Sequence, residues 1–154
     1  MATATLTDHN PEVPAPSNPS KGHSRLQCVV VTPERTLFDE QVEFVALPLY
    51  DGELGVLPGR APLIGRLGYG ELRTRTRGVV RRYFIDGGFA QVRDDVVTIL
   101  TIRATPADQI DTASATRELQ RAETLCASTD ADLAERSRAV ARARAQIRVA
   151  SHRD

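Results

Sequence analysis

Any catalysis by this 154-residue chain must begin from its histidines, cysteines or paired carboxylates. His9, His23 and His152 lie near the two ends, so no core histidine is placed to act as an acid or base. Cys28 and Cys126 have neither C-x-x-C nor His/Cys ligand spacing around them. They read as two buried, reduced thiols in a reducing compartment. Asp39-Glu40 and Asp94-Asp95 fall between apolar runs, where paired acids are solvated turn residues and not a carboxylate dyad. G-x-x-x-x-G-K-[ST] and G-x-S-x-G are both missing. The expectation is a non-enzyme with no metal and no cofactor. Lys+Arg and Asp+Glu are both 20, which leaves no net-charge footprint for nucleic acid. No apolar run approaches the length of a membrane span.

The strongest local pattern concerns shape. Asp51 to Leu63 reads DGELGVLPGRAPL, with Gly52, Gly55, Gly59, Pro58 and Pro62 among Leu54, Val56, Leu57 and Leu63. Glycine permits positive φ, and proline fixes φ and removes a ladder donor. The stretch is expected to be a rigid surface turn followed by an edge, and not the middle of a helix or a strand. Taken alone it is also what an ordinary loop between two strands looks like.

The elements that must hold this turn follow from periodicity. Residues 1–25 carry Pro11, Pro14, Pro16 and Pro19 among small polar residues. They bury too little apolar surface to offset ordering entropy and are expected to be a disordered extension. With no basic, apolar signal pattern and no arginine before Arg25, the tail reads as neither a secretory nor an organellar leader. From 26 to 105 the signals are strand and turn: Leu26–Val31, Val42–Leu47, the alternating Glu71–Arg77, Val79–Ile85, Phe89–Val92 and Val96–Ile102. Gly78, Asp86-Gly87-Gly88 and Asp94-Asp95 are read as the reversals between the later ones. Phe38, Phe44, Tyr50, Tyr69, Tyr83, Phe84 and Phe89 all lie in this segment, which is expected to hold the core. Val96–Ile102 is apolar on both alternations and is expected at its centre.

Glycine stops at Gly88 and proline at Pro106, marking a boundary near 104–108. Residues 106–154 then read as two helices. Asp108 is the expected first cap, with a stripe of Ala115, Leu119, Ala122 and Cys126. Thr129 with Asp132 resembles a capping box, followed by Leu133, Val140 and Ile147 at seven-residue spacing. The fold class is therefore mainly β plus α: an N-terminal β-sandwich and a C-terminal antiparallel two-helix hairpin. The helix stripe is mostly alanine, and burial stabilises by roughly 25 cal/mol per Å². The hairpin should therefore dock weakly and open at modest cost.

Gly-Glu-Leu-Gly-Val-Leu-Pro-Gly-x-Ala-Pro-Leu resembles the signature turn of the epsilon subunit of F-type ATP synthases. Val31-Thr-Pro-Glu34 with Leu37-Phe38, FIDGGFAQV at Phe84–Val92, and VVTIL at Val96–Leu100 resemble further motifs of that family, in order and in register. The resemblance covers Leu26 to Ala150 and implies a ten-strand-class sandwich. It implies a non-catalytic rotor subunit seated against the gamma subunit and the membrane ring, peripheral on the cytoplasmic face of the cell membrane. That subunit couples ion translocation to ATP synthesis. The ring and gamma contact falls on Gly52, Glu53, Leu54, Gly55, Pro58, Gly59 and Arg60.

The resemblance also implies a regulatory hairpin. Basic residues on the second helix meet the beta subunit when the hairpin extends, which suppresses ATP hydrolysis. Here Arg136, Arg138, Arg142 and Arg144 stand in that role, within a run that also holds Arg148 and Arg153. A charge run is equally a solvated helix face. Two residues depart from the family pattern. Arg60 replaces a frequent histidine, so a fixed charge stands where a titratable one would be. Ser114 replaces the arginine of an Ile/Leu-Asp-x-x-Arg-Ala nucleotide motif. Ile110, Asp111 and Arg121, with Arg144 and Arg148, could still contribute, but ATP binding by the isolated chain should be weak or absent. The rival readings are a small-molecule enzyme on a β-barrel and a freestanding β-sandwich module whose hairpin binds another helical partner.

Overall fold

The computed structural model describes residues 25–152, so the expectation for the proline-rich tail, like Arg153, lies outside the described residues. The β-rich part comprises β1 (Leu26–Val31), β2 (Thr36–Val42), β3 (Phe44–Leu49) and β4 (Gly52–Val56). The long β5 (Leu63–Thr76) and β6 (Val79–Arg93) follow, then β7 (Val96–Leu100) and the short β8 (Ala104–Pro106). One 3-10 turn, Ala107–Gln109, leads into α1 (Thr112–Thr124) and α2 (Asp130–Ser151).

The strands run in the order β2-β1-β7-β6-β5-β3-β4, with β8 added to β6. Only β1 and β7 pair in parallel. Opposite ends of this path share one core. Leu26, Cys28 and Val30 of β1 and Val97 and Ile99 of β7 pack in the same cluster as Val45, Leu47 and Val56 of β3 and β4. The sheet is therefore folded over into a sandwich of two layers. The fold is tied where the layers meet: the Glu43 amide donates to the Arg75 carbonyl at 2.8 Å, and Arg81 Nη1 donates to both Glu40 oxygens at 2.7 Å. β7 lies between β1 and β6, the central place expected for its two apolar alternations.

Several sequence expectations are corrected. Among the described residues the sheet has eight strands and not ten. Asp86-Gly87-Gly88 does not reverse the chain: β6 runs through it, and the ladder to β5 continues on both sides (Leu67 with Gly88, Tyr69 with Asp86). Gly87 and Gly88 take φ of +66° and +113°, so they kink one strand where two had been expected. The kink exchanges the faces. Ile85 points into the core before it, and Ala90 and Val92 do so after it. The first part of the Asp51–Leu63 stretch is also strand, because Gly52–Val56 pairs with β3 as the last strand of the path. An edge strand pairs on one side only and tolerates the glycines that a central strand would not.

The core is aliphatic. Phe84 alone among the aromatics is fully buried, and it packs under the helices and outside the main cluster, while Phe89 and Tyr50 are exposed. Cys28 is buried, and burial with Glu40 and Asp39 nearby pushes its thiol up to about 12. Cys126 lies beyond the end of α1 and is exposed, against the expectation of two buried thiols.

Asp111, and not Asp108, caps α1, its carboxylate accepting from the Ala113 and Ser114 amides at 3.0 and 3.2 Å. Asp108 belongs to the 3-10 turn instead. The Thr129–Asp132 capping box opens α2. The Thr129 hydroxyl, then the Ser128 and Thr129 amides, hold the Asp132 carboxyl below its ordinary range. In α2 the buried residues are Ala143, Ala145, Val149 and Ala150, and Leu133 of the expected stripe is half exposed. α2 packs on both α1 and the sheet, so its buried positions divide between two faces and one seven-residue period does not describe them.

Candidate functional site

The signature turn sits at the open edge of the sandwich. Val56 is buried and Leu54 packs partly on the core, which pins β4 and leaves Gly52, Glu53 and Gly55 outside. Beyond the strand Leu57, Gly59 and Arg60 are exposed and Pro58 is half-buried. The Gly59 amide donates to Asp95 Oδ1 at 2.7 Å, tying the loop to the β6–β7 turn. Glu53 is not a lone carboxylate: Arg73 of β5 donates to its Oε1. The turn therefore presents a held ion pair at β4 and, seven residues further along the chain, the fixed charge of Arg60. Glu53 and Arg73, held by each other, can meet a polar partner surface without first being ordered.

The second surface is the underside of the hairpin. Ala145, Val149 and Ala150 of α2 pack on Phe84, Ala107 and Ile110, with Tyr69 against them. Asp86, almost fully buried, accepts from Arg142 Nε at 2.9 Å, and the same guanidinium lies 5.4 Å from the Tyr69 ring centroid. Near the end of α2, His152 Nδ1 lies 2.8 Å from Glu71 Oε2, while Arg82 donates to Glu71 Oε1 at 2.8 Å. The four arginines named for a beta contact are dispersed here. Arg136 donates to the Glu123 carbonyl at 2.8 Å and Arg144 to the Glu123 carboxylate at 3.1 Å. Arg142 is turned to the sheet, and Arg138 lines the cleft beside it.

The residues named for nucleotide contact do not converge. Ile110 is buried against Phe84, and the Asp111 carboxylate is occupied by the helix cap. Arg121 stands ten residues further along α1 than Asp111 and is exposed, a rise of roughly 15 Å. Among the described residues no His/Cys/Asp/Glu group could hold a metal ion, and no helix is long and apolar enough to cross a membrane.

A third surface was missed in the sequence. The non-core side of β5 and β6 is covered by α2 around Tyr69 and Phe84, but beyond the kink it is bare. There Phe89 is 57% exposed and pairs with Leu100, 52% exposed, which pairs in turn with Val31. Ile64 and Ile102, at 76% and 71%, extend this face. The signal was present in the alternation of Phe89, Gln91 and Arg93 against Ala90 and Val92. It was lost by counting every aromatic as core.

A β-sandwich with a bare apolar half and a rigid edge turn, carrying a helical hairpin docked through both apolar and charged contacts, is the build of a subunit made for assembly. Residues 25–107 match the family described as "ATP synthase, Delta/Epsilon chain, beta-sandwich domain". The ATP synthase epsilon chain of Rhodopirellula baltica is 56% identical over 123 residues, covering 80% of this chain and 96% of that one. That of Nitratidesulfovibrio vulgaris is 37% identical over 126 residues, covering 80% and 94%. In fold the chain is similar to one in the cryo-EM structure of Euglena gracilis mitochondrial ATP synthase, described as OSCP/F1/c-ring in rotational state 1. The TM-score is 0.74 at 24% identity, covering 99% of this chain and 90% of that one. A central stalk/c-ring chain from Tetrahymena thermophila gives 0.66 at 12%, covering 81% and 96%. The chain belongs to the epsilon-chain family of ATP synthase.

Proposed function

We propose that this chain works in the central stalk, where residues 26–105 join the gamma subunit to the membrane ring and residues 106–154 restrain ATP hydrolysis. In this role it couples ion translocation through the ring to ATP synthesis and sits peripherally on the cytoplasmic face of the cell membrane, held there by the complex. The observation that carries the reading is the bare apolar half of the outer sheet face, in a member of the epsilon family. Phe89, Leu100, Ile102 and Ile64 supply area for gamma. Gly52, Glu53, Leu54, Gly55, Pro58, Gly59 and Arg60 present the polar edge to the ring and gamma.

The docked hairpin is the permissive state. Arg136, Arg142 and Arg144 are engaged within the chain, and meeting the beta subunit requires those contacts to break as the hairpin extends. Each is charge-assisted yet partly solvated, so the exchange is nearly balanced in energy. Co-elution with the gamma subunit of the same organism tests the assembly role: a stable one-to-one complex is expected. Two separate folded peaks would favour a sandwich module that binds some other helical partner. A chain ending at residue 105 should still assemble, and complexes carrying it should hydrolyse ATP faster than those with the full chain. Equal rates would remove the inhibitory role of the helices.

A further inference from the structure

The Glu53–Arg73 pair does not end at the turn. It opens a row of charges that runs from β4 across β5 to the last turn of α2. Arg73 gives its Nη2 to Glu53 Oε1, while its Nε lies 3.5 Å from Glu71 Oε1, longer than a normal hydrogen bond. Among the described residues that buried Nε has no hydrogen-bond partner. Glu71 is only 12% exposed and is already committed twice. Its Oε1 accepts from Arg82 at 2.8 Å, and its Oε2 lies 2.8 Å from His152 Nδ1. His152 caps the C-terminus of α2, its amide donating to the Val149 carbonyl at 3.2 Å. Val149 and Ala150 pack in the cluster around Phe84, so this cap borders the apolar seat of the helix. Glu53, Glu71, Arg73, Arg148 and His152 all line one cleft of about 370 Å³ between α2 and the sheet.

We propose that this row is a relay: a cationic side chain of a partner that takes Glu53 releases Arg73 to Glu71 and so loosens the last turn of α2. Glu53 is 55% exposed on an edge strand, so a partner's cation can reach it. A buried donor without a partner costs free energy, which favours closing the 3.5 Å gap once Glu53 no longer holds the guanidinium. Glu71 then carries two guanidiniums, and its neutralised charge holds His152 less well. The partner's arrival at the edge is thereby read at the far side of the sheet, by the element that must leave it. The relay is a property of the chain itself; only the naming of the membrane ring as the partner at Glu53 rests on the reading above.

The test uses the full chain at one fixed pH and low ionic strength, with amide hydrogen exchange and nitrogen NMR of the His152 ring. Glu53→Gln keeps the shape of the side chain and removes its charge, as pairing with a partner's cation would. Amides of residues 149–152 should then exchange roughly three- to fivefold faster, with those of β7 unchanged. The His152 Nδ1 resonance should move toward its position in Glu71→Gln. On an Arg73→Gln background, Glu53→Gln should change neither readout, because the link between them is gone. A mere fraying of β4 would persist on that background, so the double variant separates the two. Unchanged amides and an unmoved His152 resonance in Glu53→Gln would overturn the relay, and so would equal changes with and without Arg73. Either failure leaves the co-elution test with gamma untouched, and separate peaks in that test leave the relay untouched.

Discussion

Asp86 and Arg142 bear most directly on how firmly the hairpin stays down. The carboxylate is nearly fully buried, while the guanidinium side chain is 42% exposed. Removing Arg142 leaves an unpaired acid under the helix, whereas removing the Asp86 charge leaves a partly solvated arginine that water can satisfy. Arg142→Ala should therefore undock α2 more than Asp86→Asn, by roughly 1–2 kcal/mol, below a fully buried pair because of the exposed guanidinium. Hydrogen exchange would read this as faster exchange of α2 amides with the β7 amides unchanged. Equal protection of α2 in the native chain and both variants would show that Phe84, Val149 and Ala150 hold the hairpin unaided. The pair was not legible in the sequence. The two residues are 56 apart along the chain, and Asp86 was read as a turn residue. Glu53 with Arg73, 20 apart, escaped for the same reason, since β3 lies between their strands.

At the scale of elements, what could be read was local and what escaped depended on neighbours. The Thr129–Asp132 box and the Arg77-Gly78 reversal follow from residues within a few positions of each other, and both are present. Asp86-Gly87-Gly88 carries the same local chemistry as a reversal but is a kink, because β5 continues beside it and holds the ladder together. A built Cβ shows what the glycine is for. At Gly88 it would lie 1.9 Å from the Leu100 carbonyl oxygen, a backbone atom of β7 that cannot move aside without breaking the β6–β7 ladder. At Gly78, with φ of +79°, it would meet nothing within 4 Å. Gly78→Ala should thus cost about 1–2 kcal/mol for its left-handed backbone alone. Gly88→Ala should cost several times more, or prevent folding altogether. Thermal melts of the two variants measure the difference, and similar midpoints would mean that β7 is not pinned against the kink.

For the whole molecule, the kink at Gly87-Gly88 decides what is left for a partner. It lets one pair of long strands serve two covers, α2 over the Tyr69–Phe84 half and a surface still bare over the Phe89 half. If gamma occupies the bare half, Phe89 is its natural anchor, because an aromatic desolvated at the centre of an interface contributes far more than residues at its rim. Phe89 is 57% exposed in the free chain, so Phe89→Glu should change stability by only about 0.5 kcal/mol. The same substitution places a charge in the middle of the proposed contact. Co-elution with gamma should then weaken at least about tenfold, while the melting midpoint and the protection of α2 stay as in the native chain. Arg142→Ala should do the reverse, loosening the hairpin and leaving gamma assembly intact. If Phe89→Glu still co-elutes as tightly as the native chain, gamma sits elsewhere on the sandwich. The exposed apolar side chains Phe89, Leu100, Ile102 and Ile64 would then need another partner to cover them.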